Sequence, residues 1–226
     1  MNIVTVGNYK VGQGCPMLLM AGPCVLEGYE RSLMIGQRAK AIADKLGMPY
    51  VFKASFDKAN RSSYNSFRGP GLKEGLAILA QIKKDLGVPI VTDIHEPAQQ
   101  SQLRKLPIFC RFRHFCAARL TLFTRLQKPA EPLNVKKGQF LAPWDMKNVI
   151  KKIEEAGNHN IMLTERGASF GYNTLVTDMR GLAIMRELGY PVVMDATHSV
   201  QIPGGQGTSS GARASMCRIW QGLLLR

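Results

Sequence analysis

Helical and strand-like patterns alternate along the chain, and one phrase recurs four times. In each copy a helical stretch ends at a glycine; the stretch before Gly87, for example, has Leu76, Leu79 and Ile82 at three-residue steps. That spacing puts apolar side chains on one face of a helix, and glycine is common just beyond a helix C-terminus. The apolar run that follows each glycine predicts a buried strand ending in polar residues. The four phrases are KLGMPYVFKAS, DLGVPIVTDIH, EAGNHNIMLTER and ELGYPVVMDATH.

Strands that alternate with helices predict a parallel sheet, because parallel strands need long crossover connections. Room remains between Asp93 and Leu133 for one further strand and helix. We predict an α/β fold, a (β/α)8 TIM barrel of the aldolase type, as a single domain over residues 1–226, with its chemistry at the carboxyl ends of the strands. A doubly wound open sheet is the alternative, although no dinucleotide fingerprint follows the first strand. The predicted strands span 17–22, 50–54, 89–93, 133–136, 160–164 and 192–196.

Charged residues gather where these strands end. The loop after the second strand holds Lys53, Lys58 and Arg61 among hydroxyl and amide groups. Lysine and arginine neutralise phosphate, and arginine does so through paired hydrogen bonds. Taken alone, this loop is more typical of a solvated polar segment than of a binding site. The other strand ends carry Asp93 and His95, Lys136 and Lys137, Glu165 and Arg166, and Asp195 and His198. Several cations at one rim indicate a substrate with more than one phosphate or carboxylate group.

Seven sequence blocks carry a resemblance to a known family. The blocks are AGPCVLEG, FKASFDKANRSS, FRGPGLKEGL, VTDIHEP, NVKKGQFLAPWDMKN, TERGASFGYNTLVTDMRG and DATHSVQIPGG. In order and spacing they resemble the 3-deoxy-8-phosphooctulonate synthases, transferases of lipopolysaccharide (KDO) biosynthesis that condense phosphoenolpyruvate with arabinose 5-phosphate. The KANRSS block differs from that of the related shikimate-route synthases, which use erythrose 4-phosphate. The resemblance therefore implies arabinose 5-phosphate, with a shikimate-route activity or a catalytically dead remnant as the alternatives.

The same resemblance implies roles for individual residues. Lys136 or Lys137, together with Arg166, would hold phosphoenolpyruvate, and Lys53 and Lys58 would also face it. Arabinose 5-phosphate would contact Ser55, Asn60 and Arg61. The residues expected at the chemical step are Lys58, Asp93 and His198.

Cys24 has two interpretations. A single cysteine at a strand end is most often a small buried apolar residue. In the family, however, cysteine after Gly-Pro marks the metal-dependent members, and Gly22-Pro23-Cys24 matches them. The resemblance implies that Cys24 and His198 bind a divalent metal ion with a Glu and an Asp from beyond the seventh strand, and this chain lacks those two residues. Thiolate, imidazole and carboxylate together suit a transition metal.

Two segments depart from the family pattern. Residues 101–131 lack the RQTD motif and the expected fourth strand, and residues 211–226 stop before the eighth strand. Back-translating residues 105–123 in a shifted frame restores a sequence containing RQTD, which is typical of a frameshift. We therefore expect an incomplete barrel with weak or no activity, and resequencing the gene tests the cause.

The charge of the chain and the pattern of its first residues limit the partners that we expect. The chain has 30 basic and 16 acidic residues, a formal charge of +14, and residues 101–131 hold seven of the basic ones against one acid. If that segment is genuine, arginines among aromatic residues could bind nucleic acid, which is the less favoured interpretation. The start of the chain shows no secretory signal, and its apolar run is too short to span a membrane. We expect a cytoplasmic enzyme without nucleic-acid or membrane partners, and the resemblance implies a homotetramer.

Overall fold

Seven parallel strands form the central sheet of the structure, a computed structural model. It describes residues 1–58, 63–99, 102, 108–112, 131–205, 210–212 and 215–216, with the backbone alone for Pro97, 108–112 and Ala212. The strands are β1 (Val4–Val6), β2 (Tyr9–Val11), β3 (Leu19–Ala21), β4 (Tyr50–Lys53), β5 (Ile90–Ile94), β6 (Ile108–Phe112), β7 (Leu133–Lys136), β8 (Ile161–Glu165), β9 (Ala168–Ser169), β10 (Leu175–Val176), β11 (Val192–Met194), β12 (Gln201–Ile202) and β13 (Gly211–Ala212). The helices are α1 (Tyr29–Lys45), α2 (Leu72–Leu86), α3 (Met146–Glu155) and α4 (Arg180–Glu187).

Strand order in the sheet follows chain order, from β3 through β4, β5, β6, β7 and β8 to β11. Each neighbouring pair is parallel. All six predicted strands are present, within a few residues of their expected limits. A doubly wound sheet requires a point where the strand order reverses, and the described sheet has none. That alternative is therefore disfavoured.

The structure contains the fourth strand of the sheet, which we expected to be missing. The prediction that residues 101–131 lack this strand is wrong, because β6 pairs with both neighbours, Ile90 opposite Ile108 and Cys110 opposite Leu133. A sheet ladder uses backbone groups alone, and the Ile-Phe-Cys-Arg-Phe run contains aromatic and β-branched residues that suit a strand. The loss of a side-chain motif therefore does not remove the strand. Most of residues 101–131 and 211–226 lie outside the described residues. The expected absence of an eighth strand concerns this part of the chain and stays a prediction.

Alternation along the strands separates two cores. Phe52, Leu133 and Leu163 belong to a large cluster that also contains residues of all four helices, including Leu79 and Ile153. This side of the sheet is called the helix face. Since successive strand residues point to opposite faces, the residues between them point away from the helices, to the inner face.

The inner face has its own apolar cluster at the amino ends of the strands. Val51, Val91 and Met162 pack there against Val4 and Val6 of the β1–β2 hairpin. The two hairpin valines are fully buried, so the hairpin covers this end of the inner face. None of the described helices combines the length and the apolarity needed to cross a membrane.

Close packing on the helix face depends on Gly36 in α1. A Cβ added there would lie 2.6 Å from Leu86 Cδ1 and 3.0 Å from the Phe52 ring. Helix α1 therefore approaches both α2 and the sheet at a distance that only glycine allows. Gly87 ends α2 in the left-handed conformation, with φ of 64°, as the recurring glycine predicts.

Candidate active site

The carboxyl ends of the strands hold an unusual number of buried charges. Because the strands are parallel, these ends meet at one rim. Charged side chains are rarely buried without partners or a ligand. Five cations and two carboxylates are buried at this rim or just behind it: Lys53, Lys58, Lys136, Lys137, Arg166, Asp93 and Glu165. The excess of cations defines a site for anions.

Ser55 joins two of the predicted catalytic residues. Its hydroxyl donates to Asp93 Oδ2 at 2.9 Å and accepts from Lys58 Nζ at 3.1 Å. Ser55 and Asp93 are fully buried. One hydroxyl therefore fixes the Lys58 ammonium, from the loop after β4, near the carboxylate at the end of β5.

The loop that carries the predicted sugar-phosphate residues is closed at its base. Lys58 N donates to the Arg68 carbonyl at 2.8 Å, and the Arg68 guanidinium pairs with Asp57. His95 Nε2 lies 3.2 Å from the Asp57 carbonyl, and its ring packs edge-on against Phe56. His95 thus supports this loop. Asn60 and Arg61, predicted to bind arabinose 5-phosphate, lie outside the described residues.

Lys136 and Lys137 are adjacent in sequence and lie in different environments. Leu133 and Val135 of β7 pack on the helix face, so alternation directs Lys136 to the inner face. There its ammonium pairs with Asp195 at the end of β11. The sequence left open which lysine faces the substrate, and this geometry favours Lys136.

Lys137 lies behind the rim. Its ammonium is 3.5 Å from Glu165 Oε2 and donates to the Leu141 carbonyl at 3.2 Å. Glu165 also accepts from Gly167 N at 2.6 Å. Both side chains of this ion pair are almost completely buried. The pair connects the segments after β7 and β8, so Lys137 supports the rim from behind.

Asp195 links Lys136 to His198. Its Oδ1 accepts from His198 N at 3.0 Å and lies 3.0 Å from His198 Nδ1. Burial raises the pKa of the Asp195 carboxyl, but the Lys136 ammonium and the hydrogen bond to His198 outweigh burial and hold that pKa well below its usual range. Asp195 is therefore an ionised acceptor between two cationic or polar partners.

Cys24 and His198 come from opposite edges of the sheet. Cys24 follows β3 and His198 follows β11, yet Cys24 Sγ lies 3.9 Å from His198 Nε2. In a flat sheet of seven strands the edges would be about 29 Å apart. The sheet must therefore curl until its edges approach each other. The segment that leads to Cys24 also passes closely along the end of β4, since a Cβ at Gly22 would lie 2.2 Å from the Lys53 carbonyl oxygen.

The surroundings of Cys24 favour a thiolate. The hydrogen bond with His198 lowers the pKa of the Cys24 thiol, burial opposes this effect, and the charges of Lys58 and Lys53 lower the pKa further, to about 5. A thiolate is the form of cysteine that binds metals and acts as a nucleophile.

These two residues fit the metal ligands that the resemblance implies. Bond lengths of about 2.3 Å to sulfur and 2.1 Å to nitrogen place tetrahedral Cys and His donors about 3.6 Å apart, close to the observed separation. His198 presents Nε2 while Nδ1 bonds to a carboxylate, a common arrangement for metal-binding histidine. Within the described part of the chain, no group of three His, Cys, Asp or Glu side chains surrounds a single point. Among the described residues, Cys24 and His198 therefore offer two donors, fewer than the four that the resemblance implies.

Sequence reasoning assigned no role to Asp195 or Glu165. The sequence marks both only as polar residues at strand ends. Alternation in β7 and β8 places Lys137 and Glu165 together on the helix face, so the sequence pattern could have predicted their ion pair. It could not predict the Lys136–Asp195 pair, because β8 separates β7 from β11 in the sheet.

A parallel βα sheet with a cation-rich rim around a buried carboxylate is typical of an enzyme that acts on anionic substrates. The sequence profile of the DAHP synthetase I family matches residues 2–223. The chain belongs to this family.

Curated relatives are similar over most of the chain, and the three described here are each named 2-dehydro-3-deoxyphosphooctonate aldolase. The protein of Geobacter sp. (strain M21) is 53% identical over 210 residues, covering 93% of this chain and 77% of the relative. That of Desulfatibacillum aliphaticivorans is 52% identical over 215 residues, covering 95% and 79%. That of Stenotrophomonas maltophilia (strain K279a) is 50% identical over 205 residues, covering 91% and 74%.

Proposed function

We propose that this chain is a 3-deoxy-8-phosphooctulonate synthase. It condenses phosphoenolpyruvate, D-arabinose 5-phosphate and water to 3-deoxy-D-manno-octulosonate 8-phosphate and inorganic phosphate. Identity of 50–53% to relatives named for the phosphooctonate product supports this reaction. In the structure, the main support for this function is the rim of buried cations around Asp93, namely Lys53, Lys58, Lys136 and Arg166. Such a rim suits the reaction because both substrates are anionic.

The chain's own residues account for binding. Lys136 and Arg166, on neighbouring strands, hold the phosphate of phosphoenolpyruvate, and Lys53 faces its carboxylate. Asn60 and Arg61 receive the phosphate of the sugar. Holding two anions in one buried site converts a bimolecular step into one between positioned groups.

The reaction forms one C–C bond and one C–O bond and breaks one C–O bond. C3 of phosphoenolpyruvate attacks the sugar aldehyde while water adds to C2. One proton of the water passes to the former aldehyde oxygen, and the other leaves with inorganic phosphate, which keeps its bridging oxygen as C2 becomes a carbonyl. Lys58, fixed through Ser55 next to Asp93, donates a hydrogen bond to the aldehyde oxygen as it gains negative charge. Such fixed cationic donors stabilise charge that develops in the transition state.

A divalent metal ion is part of the proposal. Cys24 and His198 would hold it, and the Glu and Asp that the family resemblance implies as the other two ligands are missing from this chain. When bound, the ion supplies Lewis-acid polarisation of an oxygen.

We further propose that the sheet is a (β/α)8 barrel of the aldolase type that lacks its eighth strand. The approach of the β3 and β11 edges, with Cys24 Sγ and His198 Nε2 3.9 Å apart, supports a barrel-like curvature. The placement of all four described helices on one face also suits a barrel. By family resemblance we propose a cytoplasmic homotetramer.

The test is release of inorganic phosphate from phosphoenolpyruvate by the purified 226-residue chain. Release that depends on arabinose 5-phosphate supports the proposal. Release that depends on erythrose 4-phosphate instead would assign the shikimate-route reaction, which the KANRSS block disfavours. Folded protein that turns over neither sugar, with Co²⁺ present, would overturn the proposed activity and identify a dead remnant.

A further inference from the structure

Three hydrogen-bond donors converge on the two carboxylate oxygens of Asp195. Lys136 Nζ bonds to Oδ2. His198 contributes its backbone N at 3.0 Å from Oδ1 and its ring Nδ1 at 3.0 Å from Oδ1 and 2.9 Å from Oδ2. An ionised carboxylate only accepts hydrogen bonds, and it has lone pairs for all three donors. The amide of asparagine has a single acceptor oxygen and would leave at least one donor without a partner.

The backbone of Asp195 is anchored on both sides. Asp195 N donates to the Glu165 carbonyl at 2.9 Å, and Ser199 N donates to the Asp195 carbonyl at 3.2 Å. The side chains of Asp195 and Lys136 are 14% and 8% exposed. The carboxylate is therefore fixed in position, and water competes little for its partners.

We infer that Asp195 is a positioning residue that couples the two halves of the site. Its carboxylate directs the Lys136 ammonium toward the substrate phosphate and orients His198 so that Nε2 faces Cys24. Asp195 itself contacts neither substrate nor metal in this assignment. The inference rests on the proposed function, because it takes Lys136 as a phosphate ligand and Cys24 with His198 as metal ligands.

Two binding measurements on the full chain test this role without requiring turnover. The first is the affinity for Co²⁺, measured by competition with a chromogenic chelator. The second is the affinity of metal-free protein for phosphoenolpyruvate and for inorganic phosphate, measured by calorimetry. Asp195→Asn is expected to weaken Co²⁺ binding about 10- to 100-fold, as loss of an outer-shell partner of a metal-binding histidine does. It is also expected to weaken anion binding about tenfold, because Lys136 loses a charged hydrogen-bond partner.

Single-site variants separate the two effects. Lys136→Met should weaken anion binding and leave Co²⁺ affinity within about threefold, whereas Cys24→Ser should do the reverse. The matched control is Asp44→Asn, since Asp44 pairs only with Lys40 on the surface of α1 in the described structure. It should change neither affinity.

Asp195→Glu distinguishes position from charge. This variant keeps the carboxylate but moves it by one methylene, so both affinities should stay weakened. If Asp195→Asn does not fold, Asp195→Glu is measured in its place. Full recovery of both affinities in Asp195→Glu would overturn a positioning role. An Asp195→Asn protein that loses only one affinity, or neither, would overturn the coupling. If the wild-type chain binds phosphate but does not select phosphoenolpyruvate, the proposed function fails while the Co²⁺ and phosphate titrations still decide the role of Asp195.

Discussion

The two ends of the inner face are built from the same strands but bury different kinds of side chain. At the amino ends, Val51, Val91 and Met162 pack against the β1–β2 hairpin. At the carboxyl ends, two residues further along β4 and β5, the same face carries Lys53 and Asp93. The apolar end gains free energy from burial, whereas burying charge at the other end is unfavourable until a ligand or partner compensates.

This contrast shows how stability and function are divided in the molecule. Glycine, proline and apolar positions determine the strands, and the amino end closes the core. The carboxyl end keeps a cluster of cations that a stable fold alone would not require. A substitution at the apolar end should therefore affect folding, and one at the charged end should affect chemistry.

The largest effect is expected at the apolar end. Val6→Asp would place a carboxylate where the side chain is fully buried, and an uncompensated buried charge destabilises a protein by about 3–5 kcal/mol. Chemical denaturation monitored by circular dichroism measures the change. The control is Thr5→Asp, the exposed neighbour in the same strand, which should stay within about 0.5 kcal/mol. Equal destabilisation by both variants would mean that the hairpin does not cover the inner face.

At the charged end, Lys136→Met should lower kcat/KM for phosphoenolpyruvate about 10²- to 10³-fold, the usual effect of removing one fixed electrostatic donor. The midpoint of unfolding should also fall, because Asp195 loses its ion-pair partner, but by less than in Lys137→Met, since His198 still donates to Asp195. Phosphate-release kinetics and thermal unfolding measure the two quantities.

Lys137→Met is the matched comparison, one residue along the chain. It leaves Glu165 buried without its ion-pair partner, so stability should fall by about 3–5 kcal/mol. If Lys137→Met instead loses substrate binding at unchanged stability, the assignment of the two lysines to opposite faces is reversed.

Much of this architecture could be predicted from the sequence. Glycine-terminated helices and apolar runs located six of the seven strands, because those signals are local. β6 was missed since its segment lacks the expected motif, although backbone pairing with β5 and β7 does not need that motif. The strand-end rule also located Lys53, Lys58, Asp93 and Lys136, because parallel strands bring their carboxyl ends together.

Contacts between distant strands could not be predicted in the same way. Asp195 meets Lys136 across β8, and Cys24 meets His198 across the gap between the sheet edges. Both contacts depend on how strongly the sheet curls, which no local pattern encodes. The family resemblance supplied the Cys24–His198 pair, and nothing in the sequence supplied the carboxylate that connects it to Lys136.

The smallest expected effect concerns Cys24, which lies at the charged end of the inner face. With a pKa of about 5, the metal-free protein should carry a Cys24 thiolate from neutral pH down to about pH 5, and lose it as the pH falls further. In His198→Ala the largest cause of the lowered pKa is removed, so that pKa should rise toward the ordinary thiol value near 9.0. Alkylation by iodoacetamide at about pH 6, taken as the difference from Cys24→Ser, should then slow about tenfold or more, since the thiolate is the reactive form. An unchanged rate would show that Lys53 and Lys58, rather than the contact between the two sheet edges, keep this thiol ionised.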